Sequence, residues 1–251
     1  MKARVLTFNT LFRGHSRARI GALGRLLENS SYDVVCLQEV MSPANLALLR
    51  RTARSFTHVV HGATFPLVRG GLVILSRAPV VHHRFRAFTF AGPARKEWVM
   101  RKGMLMARVR FADRTVTILN THLSANMNDD WSPSNAYAKA QRSELDELAA
   151  FVARLGPADP LIVLGDFNVP RGSDLLRDFA ATAGLHDVLE GDTEPTFRPT
   201  PEYSDTKPLD QIFTRPAMAA TTRLVFHDEV PLPDGRSMYL SDHFGIEATF
   251  A

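Results

Sequence analysis

Polar residues stand where several apolar runs stop, and their types suit phosphoryl chemistry. Asn9 ends Val5-Leu6-Thr7-Phe8, and Glu39 ends Val34-Val35-Cys36-Leu37-Gln38. His122 ends Val116-Thr117-Ile118-Leu119-Asn120-Thr121, while Asp166 and Asn168 follow Leu161-Ile162-Val163-Leu164-Gly165. Asp210 opens Asp210-Gln211-Ile212-Phe213, and Asp242-His243 precedes the last apolar run. Strand ends are where sheets present ligand groups. Singly, each has an ordinary explanation: Asp and Asn make turns, and a histidine at a strand end is more often structural than catalytic. As a set they are chemically coherent. Glu39, Asp242 and the Asn9 amide are hard oxygen donors suited to Mg²⁺, with Mn²⁺ or Ca²⁺ as substitutes. A zinc enzyme is not indicated, because there is a single cysteine and no His-x₃-His pair. His243 suits a general base if a carboxylate such as Asp210 fixes its tautomer. Phosphate-ester hydrolysis needs such a base for water, a metal on a non-bridging oxygen, and donors for the developing charge.

These groups need elements to hold them. Val5 to Asn9, Asp33 to Gln38, Gly71 to Ser76, Val80 to Phe88, Gly103 to Phe111 and Arg114 to Thr121 read as strands, with a tight turn at Ala112-Asp113. Leu161 to Leu164, Leu209 to Phe213, Arg223 to His227 and Phe244 to Phe250 read as further strands. Apolar spacing predicts helices over Arg17 to Glu28, Pro43 to Thr52 with Ser42 as N-cap, Ala136 to Leu155, and Ser173 to Ala183. In the third helix Gln141 belongs either to the core stripe or, with Asn128 and Arg142, to a set of polar contacts beside the site. Helices and strands interleave early and hairpins sit in the middle. That order predicts an α+β fold of two mixed sheets packed face to face with helices outside. No linker divides the chain and the candidates run from Asn9 to His243, so a single domain over residues 1–251 is expected. The stretches 88–101, 124–135 and 191–208 lack a pattern, and loops of that length are usually functional.

The balance of 30 Lys and Arg against 26 Asp and Glu is mildly basic, which suits an anionic substrate without identifying it. Basic clusters at Arg50-Arg51 with Arg54, at His82-His83-Arg84 with Arg86, and at Arg95-Lys96 with Arg101-Lys102 read as solvated surface or as a collar attracting phosphate. Cys36 lies in an apolar run and reads as a buried thiol rather than a nucleophile. No run is apolar enough to span a bilayer and no leader pattern opens the chain. A cytoplasmic protein is expected, with secretion open if a leader was removed.

The motifs Thr7-Phe8-Asn9, Leu37-Gln38-Glu39, Asn120-Thr121-His122-Leu123, Gly165-Asp166-Phe167-Asn168, Leu209-Asp210-Gln211-Ile212 and Ser241-Asp242-His243 occur in order along nearly the whole chain. In this set the sequence resembles the endonuclease/exonuclease/phosphatase superfamily of Mg²⁺-dependent phosphoesterases, whose fold is DNase I-like. The resemblance implies a four-layer α/β/β/α sandwich. It implies Glu39 as the principal metal ligand, with Asn9 and Asp242 near the metal. It implies His243 as general base paired with Asp210, Asp166 and Asn168 positioning the water or leaving group, and His122 on the scissile phosphate.

Within that superfamily the chain looks most like the neutral sphingomyelinases. The similarity lies in Phe8-Asn9-Thr10, Arg17-Ala18-Arg19-Ile20, Asp33 to Val40, Gly71 to Arg77, Lys102-Gly103 and Asn120 to Leu123. His122 stands where several nuclease branches place Asn. The implied activity is that of a phospholipase C-like phosphodiesterase acting on phospholipid at a membrane surface. Phe85, Phe88, Phe90, Trp98 and Trp131 are then candidate lipid contacts, or else ordinary core aromatics. The chain departs from that branch at 124–135 and shows no apolar anchor before Ala251. Three other readings stand beside it. One is a nuclease, whose basic groups contact nucleic acid phosphates. Another is a small-molecule or inositol-phosphate phosphatase. The third is a non-catalytic binding protein on the same fold, which the presence of every acid and base disfavours.

Overall fold

In the computed structural model of the chain, the described residues are 3–89, 92–93, 96–112, 114–157, 159–199, 204–232 and 235–251. Phe90, Arg95 and Asp113, all singled out above, lie outside them.

Two six-stranded sheets face one another. The first runs, edge to edge, β11 (Ala220–Val225), β14 (Gly245–Phe250), β1 (Ala3–Asn9), β2 (Val34–Gln38), β4 (Val73–Ser76) and β3 (His58–His61). The second runs β5 (Val80–Ala87), β6 (Gly103–Arg110), β7 (Thr115–His122), β8 (Leu161–Asp166), β10 (Asp210–Arg215) and β9 (His186–Asp187). A small hairpin, β12 (Val230–Pro231) with β13 (Ser237–Met238), stands apart. Each large sheet contains one parallel pair, β1 with β2 and β7 with β8, among antiparallel neighbours. A parallel pair needs a long crossover. Helix α1 (Ser16–Glu28) supplies the first and α3 (Ala136–Val152) the second. Helix α2 (Pro43–Thr52) packs on α1, and α4 (Asp174–Ala183) on α3.

Strand alternation divides the apolar residues among three layers. In β1 and β2, Leu6, Phe8, Val35 and Leu37 face α1 and α2. Val5, Val34 and Cys36 point the other way, into the seam between the sheets. In β6 to β8, Met104, Met106, Leu119, Leu161 and Val163 face α3 and α4. Leu105, Ala107, Ile118, Ile162 and Leu164 fill the seam. The result is the expected α/β/β/α sandwich, with Cys36 fully buried.

At one end the seam turns polar, because the alternating positions that carry Val and Ile continue as amides and acids. Val5 leads through Thr7 to Asn9, Ile118 to Asn120 and His122, and Ile162 through Leu164 to Asp166. A polar lock joins the sheets there: Gln38 Nε2 donates to Asn120 Oδ1 at 2.8 Å, and Asn120 Nδ2 donates to Leu37 O at 2.9 Å. Both side chains are fully buried, where satisfied hydrogen bonds fix one alignment of the layers.

Some expectations shift. Ser42 flanks α2 but makes no side-chain capping bond, and Pro43 follows it at the start of the helix, where its fixed φ suits the first turn. Asn135 caps α3 instead, accepting from Tyr137 N and Ala138 N, and this helix ends at Val152 rather than Leu155. Strand β3 was not foreseen, and β11 begins at Ala220 rather than Arg223. Among the described residues no helix is long and apolar enough to cross a membrane.

Candidate active site

Register brings three groups into one row. Asp166 ends β8, with His122 directly beside it on β7 and Asp210 directly beside it on β10. From the facing sheet, Asn9 Nδ2 donates to Asp166 Oδ2 at 2.9 Å. The segment before β14 adds His243. Its Nδ1 donates to Asp210 Oδ2 at 2.9 Å, and its Nε2 lies 3.8 Å from Asp166 Oδ2. His122 Nε2 is 3.4 Å from the same oxygen.

This crowding moves the proton affinities of Asp166, His243 and His122. Burial and then the neighbouring Asp210 raise Asp166 to about 6, against the pull of His243. Burial alone would lower His243, but the charges of Asp210 and Asp166 and the bond to Asp210 outweigh it and lift the ring to about 10. His122 goes the other way. Burial, then the charges of Lys102 and His243, hold it well below the usual histidine range, so it is neutral. The two histidines therefore flank Asp166 in different charge states.

The other wall carries Glu39, one residue past β2. Its backbone is left-handed, with φ 65°. Such a conformation in a non-glycine residue persists only where its surroundings enforce it. Gly71 lies against it: a Cβ there would stand 3.0 Å from Glu39 Cα. Glu39 Oε2 accepts from Phe12 N at 2.8 Å, and Asn9 Nδ2 is 3.4 Å from Oε1. Beneath this wall the buried Arg19 guanidinium donates to the carbonyls of Thr10, Leu11, Arg13 and Gly14, and to Leu240 O. Arg19 thus ties the loop after β1 to the segment leading into Ser241-Asp242-His243. Burial lowers its pKa, while the charges of Asp242 and Glu39 oppose that shift.

Among the described residues no three His, Cys, Asp or Glu side chains form a closed metal cage. The candidate donors are the Glu39 and Asp242 carboxylates on the wall of an open cleft, while the Asn9 amide beside them turns its nitrogen to Glu39 and its oxygen to Leu11 N at 3.0 Å. That donor set fits Mg²⁺, which binds through one or two carboxylates and keeps several waters.

Asn168, at φ 50°, receives Asp166 Oδ1 on its own N–H at 2.9 Å and donates Nδ2 to Leu123 O at 3.0 Å. Gln141 proves to be both core and contact. It is fully buried, and its Nε2 donates to Ser124 O at 2.8 Å and Asn168 O at 2.7 Å. Asn9, Glu39, His122, Asp166, Asn168, Asp242 and His243 line one cleft of about 1230 Å³, with Asp210 held behind His243. Its rim adds Arg13, Met127, Trp131, Arg198, Lys207 and Tyr239.

Some sequence candidates lie elsewhere. Phe85 packs against the seam and Phe88 against the α3–α4 layer, so both are core-side aromatics rather than free lipid contacts. Arg50 and Arg51 sit in the last turn of α2, the end away from Glu39. Trp98 is half-exposed, while Trp131 lines the cleft and donates Nε1 to Asn168 O at 3.3 Å. Lys102, read above only as part of a basic cluster and a motif, is buried in the cleft wall with Nζ donating to Leu123 O at 2.9 Å. Its place in the motif Lys102-Gly103, not its charge, was the usable signal.

The sequence profile of the Endonuclease/Exonuclease/phosphatase family matches residues 6–243. Human sphingomyelin phosphodiesterase 2 is 24% identical over 69% of this chain and 42% of its own length. The inositol phosphosphingolipids phospholipase C of Schizosaccharomyces pombe is 25% identical over 66% of this chain and 41% of its own. With the first curated relative, from Drosophila melanogaster, the share of the relative is 56%, so the chain spans about half the length of the curated relatives it matches. In structure, a Staphylococcus aureus beta toxin with bound magnesium ions superposes with TM-score 0.79 at 18% identity, covering 99% of both chains. Danio rerio TDP2 complexed with a single-strand DNA product superposes with TM-score 0.78 at 22% identity, covering 100% of this chain and 99% of that one. At these identities the superpositions establish the fold.

Proposed function

We propose, because the chain belongs to the endonuclease/exonuclease/phosphatase family, that its cleft hydrolyses a phosphodiester with a divalent metal, and that the substrate is a sphingolipid- or phospholipid-type diester. The observation that carries the reading is the row His122, Asp166, Asp210 with His243 above it, facing Glu39 and Asn9 across one cleft. The lipid class is supported by the sphingolipid names of two relatives and by His122 in place of the Asn of several nuclease branches.

Glu39 and Asp242 would hold the metal, with Asn9 beside it. When bound, a divalent cation polarises a phosphoryl oxygen, favours hydroxide over water and offsets the carboxylate charge that keeps His243 protonated. His243, neutral and held by Asp210, takes a proton from the attacking water. Oxygen bonds to phosphorus as the alcohol oxygen leaves on the opposite side and takes up a proton. Asp166 and Asn168 orient the water or the departing oxygen. His122, neutral and buried, donates to the phosphate as charge develops, and the nearby Lys102 ammonium stabilises the same charge. The products are the free lipid alcohol and the phosphorylated head group.

The deciding experiment is Mg²⁺-dependent release of phosphorylated head group from vesicles containing sphingomyelin or an inositol phosphosphingolipid, with EDTA and His243→Ala as controls. Release that is lost in both controls is expected. No release, combined with nicking of plasmid DNA, would replace the lipid reading with the nuclease one.

A further inference from the structure

We propose that Thr196 is the positioning residue that sets the His243–Asp210 pair. Those partners come from different segments: Asp210 opens β10, and His243 precedes β14. Thr196 touches both. Its carbonyl accepts from Phe244 N, the residue after His243, at 2.8 Å. Its hydroxyl accepts from Leu209 N at 2.9 Å and from Asp210 N at 3.1 Å. The flanking residues extend the joint. Phe197 forms a β-bridge with His243, their rings meeting edge-on at 5.2 Å, and Arg198 N donates to Asp242 O at 2.7 Å. Thr196 itself is 0% exposed. One side-chain oxygen thus holds the backbone of the carboxylate, while the same residue's carbonyl holds the backbone of the imidazole.

Removing that oxygen leaves the buried Asp210 N–H and the partly buried Leu209 N–H without this acceptor. The start of β10 is then free to shift against the His243 segment. A displacement on the order of 1 Å in a reacting pair costs about 100-fold in rate. The inference rests on the proposed function only in calling the pair catalytic; the positioning has its own readout.

The test compares Thr196→Val, which deletes the acceptor at constant shape, with Thr196→Ser, which keeps it. Thr196→Cys, a weak acceptor, stands in if the valine variant does not fold. Two quantities are read: kcat and KM with Mg²⁺ on the diester that the wild type turns over, and the Nδ1–H and ring nitrogen NMR signals of His243 in metal-free protein. Thr196→Val should lower kcat by about 10- to 100-fold with KM nearly unchanged, and should move the His243 signals. Thr196→Ser should restore both. A folded Val or Cys variant with wild-type kcat and unmoved ring signals would overturn the inference, as would a serine variant no better than valine. If the wild type hydrolyses no phosphodiester, the functional reading fails, and the ring signals alone decide the positioning.

Discussion

The floor and the rim of the cleft are built on different principles. On the floor, Asn9, His122, Asp166, Asp210 and His243 are nearly inaccessible, and each bonds or abuts another. Four of them occupy strand ends, where the ladder of backbone bonds sets their spacing before any side chain acts. On the rim, Met127 and Tyr239 are about half exposed. The 124–135 and 191–208 segments meet there through Lys207, whose Nζ reaches Asp129 at 2.6 Å and Asp205 at 2.8 Å. Both of these acids are well exposed, and ion pairs of this kind contribute little to stability. The floor is thus held by its own buried contacts, whereas the rim rests on exposed ion pairs. On the proposed reading, the first region carries the reaction and the second adds contacts to the head group.

Disrupting the floor should have the largest effect. Asp210→Asn removes the charge that orients His243, and kcat should fall by about 10³- to 10⁴-fold with little change in KM. Steady-state kinetics on the hydrolysed diester checks this, and a loss seen mainly in KM would move Asp210 to the binding surface. Next is the strand contact beneath it. Gly165 has φ 144°, and a Cβ there would lie 2.0 Å from Thr121 O. Gly165→Ala should destabilise the fold by about 3 kcal/mol or more, as read by urea denaturation.

A third region sharpens the contrast by separating burial from reactivity. Glu247 is a buried carboxylate outside the cleft, bonded by Arg4 at 2.8 Å and Arg223 at 3.1 Å. Burial would raise its pKa, but bonds from Arg223, Arg4 and Tyr32 outweigh this and take it down to about 2, whereas Asp166 rises to about 6. A depressed carboxylate stabilises the fold fully above its ordinary pKa of 4.5, and that contribution is lost as pH falls toward about 2. Glu247→Gln should flatten the stability profile in that acid window and leave kcat unaltered at neutral pH. The smallest effect belongs to the rim. Lys207→Ala should change stability by less than about 1 kcal/mol and kcat by less than about twofold, while altering the ratio of kcat/KM between head groups. An equal loss on every head group would make Lys207 part of the common machinery.

The same division governs what was legible in the sequence. The floor could be read because each of its strand residues ends or opens an apolar run, and strand ends are where sheets present ligand groups. Glu39, Asn168 and Asp242 were readable from motif order. Arg19 and Thr196 were not, since their partners are backbone groups and leave no complementary side chain to find. Gln141 was ambiguous for a related reason: a buried amide at helical spacing looks like core until its carbonyl partners are known. The layers were legible from periodicity, while β3 was too short to show one. The sequence leaves Phe85 and Phe88 open between lipid contact and core, because the stretch at Phe88 has no period to reveal which side faces in.

The position of β1 between β14 and β2 bears on how the molecule is made. Strand β1 finds one neighbour soon after its synthesis, but its other edge stays open until residues 245–250 have been translated. Asp242 and His243 arrive only just before them. A nascent or stalled chain can lay down α1, α2 and much of the second sheet, yet holds no assembled hydrolytic centre. On the proposed reading, the hydrolytic centre is therefore assembled only after β14 has emerged.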